Sequence, residues 1–307
     1  MPIEECYYSG DVPPDTDLKF YITDVAVGYY GAQYGPHSPP YTGTGIYVRY
    51  AGNTWTNSLS PGGFGWITVI HELGHAMGFA HPHDQGGGSN IFPGVINAFQ
   101  DKGDNDLNQN TFSVMSYIDT NSGINPTSAQ SYGFCMGPMA FDIATMAYLY
   151  GGLNPNYKNT DNPTSGNNTY TLSNKNLVST YGNGFTSIFD NGGTDLFLYD
   201  GTQAVTIDLR PATIQNEFGG GGFISKIDDP NVFSGLTISE GTIIENATAG
   251  SGNDTFYQSE NVSNIIEGNG GNDSVHYSSV YSDYTITDES GDGSHITVKK
   301  GEKLTYY

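Results

Sequence analysis

The chain has 307 residues and a formal net charge of −22, yet only 14% of its residues are charged, because it contains just 10 Lys plus Arg. A typical domain is about 25% charged, so this is a cation-poor surface that repels nucleic acid and anionic membranes, and both are excluded as partners. No apolar run approaches the roughly 18 residues needed to span a bilayer, and the N-terminal stretch lacks the basic and apolar regions of a cleavable signal peptide.

The 42 Gly and 23 Tyr indicate a body rich in turns and strands rather than a helical bundle. The length fits two domains, each large enough for its own core. In chain order, Lys19 to Thr23 and Gly45 to Tyr50 read as strands. They are followed by His71-Glu72-Leu73-Gly74-His75-Ala76-Met77-Gly78-Phe79-Ala80-His81. His71 and His75, four residues apart, lie one turn above the other on one helix face and can aim ring nitrogens at a single ion. Gly78 stands where the helix must stop if the chain is to turn back, and glycine takes the left-handed conformation such a stop requires. The reversal returns His81 to the same ion. Three neutral imidazoles leave a tetrahedral Zn²⁺ with one open position for water, whose pKa falls to about 7. Glu72 is placed to take the proton of that water and pass it to a leaving amine. A short His-Glu-x-x-His segment alone is also compatible with a solvated helix face. The added glycine and third histidine favour the metal.

Proline after the third histidine, His81-Pro82, makes the segment resemble the serralysin branch of the metzincin zinc metalloproteases. Ser113-Val114-Met115-Ser116-Tyr117 is similar to that family's Met-turn. The resemblance implies that Met115 forms an apolar floor beneath the zinc. It also implies that Tyr117 is a zinc ligand in the resting enzyme and swings away to stabilise the oxyanion. Gly137 to Gly151 reads as a helix with apolar Ile143, Met146, Ala147 and Tyr150, stopped by glycine. It is similar to the helix that closes serralysin catalytic domains. The likeness covers most of residues 18 to 276. Serralysins leave the cell through an uncleaved C-terminal signal, so the resemblance implies an extracellular protein.

After Gly151-Gly152 a polar stretch, Asn154 to Asn168, reads as a linker or long loop. Leu196 to Tyr199 is a short apolar run, and Val205, Ile207 and Leu209 alternate as in a strand. Asp190-Asn191-Gly192-Gly193-Thr194-Asp195 resembles a family turn that binds calcium between the two domains. Two imperfect copies of the nonapeptide G-G-x-G-x-D-x-U-x follow, Ala249 to Tyr257 and Gly268 to His276, the pattern of calcium-binding parallel β-rolls. Carboxylates and glycine-turn carbonyls are hard oxygen ligands for Ca²⁺. The candidates are Asp190, Gly192, Asp195, Glu245, Gly250, Gly252, Asp254, Gly271 and Asp273. Asp254 and Asp273 are spaced to stack on one side of the roll, with Phe256 and Val275 pointing inward. Tyr284 to Thr287 and His295 to Val298 are further strands, and Lys299, Lys300 and Lys303 form a solvated edge.

The expected fold is α+β: a metzincin-like catalytic domain over residues 1–152, then a β-rich calcium-binding domain over 153–307 with repeats at 249–276. The function expected is that of a secreted zinc endopeptidase. An extended protein or peptide substrate would pair with an edge strand, for which Ile46 to Tyr50 is the candidate. The segment before His71 is shorter than family catalytic domains generally have and shows no equivalent of their first helix. The upper part is therefore expected to be reduced, or the chain to be part of a longer product. Two other readings stay open: a metzincin-fold binding or structural module of an adhesin or virion, and a zinc hydrolase of small peptides or peptidoglycan cross-links. Cys6 and Cys135 could pair or stay free.

Overall fold

A computed structural model describes residues 18–23, 31–34, 43–48, 59–119, 132–151, 165–172, 184–229, 232–260, 262, 264–279, 283–288 and 296–300. Within these residues the architecture is α+β, with few helices. None of the helices is long and apolar enough to cross a membrane.

The first sheet has three strands: β1 (Leu18–Thr23), β2 (Gly31–Tyr34) and β3 (Gly43–Val48). Their order is β1-β3-β2, with β1 parallel and β2 antiparallel to β3. The strands expected at Lys19 to Thr23 and from Gly45 are therefore present. The expectation that Ile46 to Tyr50 forms an edge is overturned for Ile46 and Tyr47, which belong to the central strand and are paired on both sides; Arg49 and Tyr50 lie outside the described residues. β2, which carries no alternating apolar pattern, occupies an edge. Helix α1 (Phe64–Ala76) packs against β2 and β3. Ile67-Thr68-Val69-Ile70 is β-branched throughout and weak as a helix former. The helix is held instead by tertiary contacts along a buried stripe of Ile67, His71 and Gly74.

Helix α2 (Ala140–Met146) is shorter than the expected Gly137 to Gly151 and gives way to a π-turn over Ala147–Gly151. Its buried residues are Ala140 and Asp142, whereas Tyr150 is exposed and donates its hydroxyl to the Met77 carbonyl at 2.6 Å. The difference arises because the N-terminal turn of α2, rather than one long face, is inserted into the core. There Ile67, Phe79, Val114, Met115, Phe134, Cys135 and Met139 pack together with Phe185. Cys135 is a buried thiol that donates to the Asn110 carbonyl. Cys6 lies outside the described residues.

Nearly all remaining elements are strands: β4 (Thr169–Thr171), β5 (Phe185–Ile188), β6 (Leu196–Leu198), β7 (Val205–Asp208), β8 (Lys226–Ile227), β9 (Gly235–Ile238), β10 (Asn246–Thr248), β11 (Thr255–Tyr257), β12 (Ile265–Glu267), β13 (Ser274–His276), β14 (Tyr284–Asp288) and β15 (Ile296–Lys300). Two four-stranded sheets, β12-β10-β6-β4 and β13-β11-β7-β8, are visited alternately by the chain. Three successive coils, β6 to β7, β10 to β11 and β12 to β13, stack in parallel register. The repeats over 249–276 account for two coils. The third, upstream, coil lacks the glycine-aspartate pattern and was not legible as a repeat. Phe197, Tyr199, Val205, Ile207, Leu209, Ala247 and Phe256 form the core between the sheets, and Val275 packs partly buried against it. β14 and β15 pair antiparallel near the expected tail strands. β5 joins the two cores: Phe185 packs in the first and Ile188 in the second, while the Phe134–Met136 segment exchanges backbone hydrogen bonds with Phe185.

The coils approach so closely that a side chain cannot fit at some turns. At Gly271, with φ +112°, an added Cβ would collide with the carbonyl of Gly252 in the coil beneath. Gly271→Ala is expected to cost about 2 kcal/mol or more and to lower Tm by roughly 4–8 °C for a domain of this size. Gly137→Ala, where an added Cβ meets nothing within 4 Å, should leave Tm unchanged. Equal thermal shifts in the two variants would show that the turn stack does not bear on stability.

Candidate metal centre

Helix α1 ends in a Schellman turn. The Phe79 N–H donates to the Gly74 carbonyl and the Gly78 N–H to the His75 carbonyl, both at 2.9 Å, with Gly78 at φ +88°. This reversal brings His81 back beneath the helix, as its glycine predicts. It also carries the Phe79 carbonyl under the ring of His75.

The Nε2 atoms of the three histidines converge: His81 Nε2 is 3.1 Å from His71 Nε2 and 2.9 Å from His75 Nε2. Each Nδ1 faces an acceptor that has no proton to give. His71 donates to the Val114 carbonyl at 2.8 Å, His75 to the Phe79 carbonyl at 2.9 Å and His81 to Asp84 Oδ2 at 2.6 Å. These bonds fix the Nδ1–H tautomer, so three Nε2 lone pairs converge, an arrangement suited to a bound cation. Tetrahedral zinc with nitrogens at about 2.05 Å separates its ligands by roughly 3.3 Å, close to the spacing found. Burial drives the His71 pKa down to about 3, against the bond to Val114 and with help from the neighbouring histidines. Burial likewise lowers His75 and His81. All three are thus neutral near physiological pH, the state that binds metal. Among the described residues, His71, His75 and His81 form one group of metal-ligating atoms within 4.8 Å of one another; His81, His83 and Asp84 form another.

Glu72 is buried on the same helix, and its Oε2 has no hydrogen-bond partner among the described residues. Burial pushes its pKa up to about 7. The phenol of Tyr117 lies 2.9 Å from His81 Nε2. Met115, 2% exposed, lies under the helix, and an added Cβ at Gly74 would come 2.5 Å from its Sδ. The glycine inside the histidine segment thus makes room for the methionine. His83, which reads in the sequence as a loop histidine without a motif, stacks on His81 with ring centroids 4.7 Å apart.

Sequence reasoning missed Asp142. Fully buried in α2, it accepts the Ser113 hydroxyl and the Val114 and Met139 N–H groups, each at 2.8 Å. Burial raises its pKa to about 6 against the pull of these bonds. The partners hold the turn that carries Val114, Met115 and Tyr117. The only local hint is an acidic residue three positions after the helix N-cap.

The candidate calcium ligands lie in the strand-rich part of the chain, and several of them bond one coil to the next. Asp254 Oδ1 accepts the Val205 N–H, Asp273 Oδ1 accepts the Asp254 N–H, and Asp195 Oδ1 accepts the Asn168 N–H. Asp254 and Asp273 therefore stack as their spacing predicts. Glu245 Oε2 accepts the Asp195 N–H, Asp190 Oδ1 accepts the Gly192 N–H, and the Gly250 carbonyl accepts from Gly270. Gly252 lies against the backbone of Gln203 and Ala204. The second oxygens of Asp195 and Asp254 are buried without a hydrogen-bond partner among the described residues. Burial first, then Asp190 and Glu245, raise the Asp195 pKa; burial, then Asp273 and Asp228, raise that of Asp254.

No family model matches the chain. Among known proteins it is 40% identical over 104 residues to the serralysin of Proteus mirabilis, covering 34% of this chain and 18% of that protein. It is 30% identical over 235 residues to the metallopeptidase AprA of Pseudomonas marginalis, covering 74% of this chain and 44% of that protein. With the serralysin of Photorhabdus laumondii it shares 27% identity over 248 residues, 79% of this chain and 47% of that protein. The chain spans less than half the length of these relatives, and over the matched part it is serralysin-like in sequence.

Asp142→Ala removes the acceptor of the Ser113 hydroxyl and of the Val114 and Met139 N–H groups. Unsatisfied buried donors cost about 1–3 kcal/mol, and loosened support behind a metal-binding histidine weakens metal binding by roughly 10- to 100-fold. A lowered urea midpoint together with weaker zinc binding in a chelator competition is the expected result. Unchanged zinc affinity would detach Asp142 from the site.

Proposed function

We infer that the chain is a zinc endopeptidase that hydrolyses extended protein or peptide substrates outside the cell. The observation that carries this reading is the convergence of three Nε2 atoms at the helix that also carries buried Glu72, whose Oε2 has no hydrogen-bond partner among the described residues. Similarity to proteins named serralysin and metallopeptidase supports it. His71, His75 and His81 would hold Zn²⁺, which when bound supplies Lewis acidity that polarises the substrate carbonyl and lowers the pKa of water. The Glu72 carboxylate accepts the proton of the attacking water and returns it to the leaving amine. Its buried setting keeps its affinity for a proton near the middle of the working range. The Tyr117 phenol donates a hydrogen bond to the oxyanion that develops on the carbonyl. Met115 and Asp142 keep this constellation in place. β2, the edge strand against which α1 packs, offers main-chain groups to an extended substrate, in the role expected of Ile46 to Tyr50. Residues 1–152 would form the metzincin-like catalytic domain and residues 153–307 the β-rich one.

In the β-rich half the reading is a short calcium-binding β-roll of the RTX type. Asp190, Asp195, Glu245, Asp254 and Asp273, with carbonyls of Gly192, Gly250, Gly252 and Gly271, would supply the oxygens. The unpartnered oxygens of Asp195 and Asp254 support it, since a buried carboxylate oxygen needs a donor or a cation.

Two measurements test these assignments. Glu72→Gln keeps size and packing but cannot accept the proton. It should bind one zinc per chain and hydrolyse casein at least about a hundredfold more slowly than the parent. A parent that binds zinc and cleaves nothing would favour a binding module; cleavage confined to short peptides would favour a small-peptide hydrolase. For calcium, a ligand held only by the folded state stabilises it by about 2.7 kcal/mol at a hundred times its Kd. Withdrawing calcium with a selective chelator should therefore lower Tm while zinc is at first retained. A melting curve indifferent to calcium would remove the metal from the roll.

A further inference from the structure

Tyr117, 37% exposed, is bordered by two proposed metal ligands and by two rings that the proposed mechanism does not use. Its centroid lies 4.8 Å from that of His81 and 5.5 Å from that of His71. Two further rings border it: His83, at 4.7 Å and 45°, and Phe99, stacked at 5.3 Å and 20°. His83 is itself stacked on His81, with the ring planes 18° apart. Phe99 is 73% exposed, an unfavourable place for a large apolar ring, and yet the loop that presents it is tightly built. Asp101 Oδ2 accepts the N–H groups of Ile96 and Asn97 at 2.8 and 2.6 Å. Asn97 Oδ1 accepts the Phe99 N–H at 3.0 Å, and Asn108 donates its side chain to the Asp101 carbonyl at 2.6 Å. Val95, buried, anchors the loop from the other side. An ordered loop thus holds an exposed ring flat against the phenol.

We propose that Phe99 is a positioning residue for Tyr117: its ring, together with that of His83, holds the phenol at its metal-facing position in the resting protein. The inference rests on the zinc-enzyme reading, in which Tyr117 reaches the metal. The 95–101 loop then sets how readily the phenol yields its place to a substrate carbonyl. One aromatic stack is enough to shift a two-state population by about 2- to 10-fold, so the loop biases the phenol without locking it.

The test uses the full chain with Co²⁺ in place of Zn²⁺, because the visible absorption of cobalt reports whether the phenol is a ligand, independently of turnover. Tyr117→Phe provides the spectrum without the phenol. Phe99→Ala is expected to bind one cobalt per chain and to move toward that spectrum, with the ratio of bound to released phenol falling about 2- to 10-fold. Phe99→Tyr, which keeps a flat ring, should restore the parent spectrum, and His83→Ala should shift it in the same direction as Phe99→Ala. If Tyr117→Phe changes the spectrum while Phe99→Ala leaves it as in the parent, the positioning role is overturned and the zinc-enzyme reading stands. If the parent and Tyr117→Phe spectra coincide, or the parent takes up no cobalt, the fault lies in the assignment of Tyr117 or of the metal site, and the proposal falls with it.

Discussion

The candidate metal centre depends on one buried carboxylate and the donors gathered around it. Asp142 accepts from Ser113, Val114 and Met139, and so fixes a turn that does three things. It presents the Val114 carbonyl to His71, it fills the hollow at Gly74 with Met115, and it sets Tyr117 over His81. Helix α1 supplies two histidines by geometry alone, but their ring orientation comes from acceptors on other segments. A metal site is as rigid as these outer contacts, because an imidazole can rotate unless its second nitrogen is held.

The cation-poor composition has a structural counterpart. Among the described residues Arg210 forms an ion pair with Asp208, whereas neutral His81 meets Asp84 through a hydrogen bond. Arg210 also lies 3.7 Å over the Phe223 ring, where its charge gains from the aromatic face. Asp190, Asp195 and Asp254 are at least as buried as Asp208 and have no such partner among the described residues; backbone N–H groups serve them instead, from the same turn at Asp190 and from distant segments at Asp195 and Asp254. A ladder of this kind spreads compensation along the stack, and Asn246, Asn253 and Asn269 extend it with side-chain bonds to the adjacent coil. The cores are mechanically linked as well. β5 carries Phe185 into the packing around Met139 and Ile188 into the coil interior.

The sequence by itself determined what depends on local spacing. The four-residue offset from His71 to His75, a glycine where α1 must end, and a third histidine three residues later specify the converging ligands, because helix pitch and a left-handed turn leave little freedom. The alternation of Val205, Ile207 and Leu209 and the offset of Asp254 from Asp273 were legible for the same reason, since strand period and coil length are local properties. Tertiary structure alone decided what depends on contacts between distant segments. Asp142 acts across 28 or more residues on the 113–117 turn. The edge position passed to β2 because β3 has partners on both sides, which no single-strand pattern reveals. The coil from β6 to β7 lacks the repeat residues and is defined by the strands stacked on it. Phe99 reads in the sequence as one more aromatic in a polar loop. Only the folded chain brings its ring against Tyr117, because loop conformation is set by hydrogen bonds at Asp101 and Asn108 that have no periodic signature.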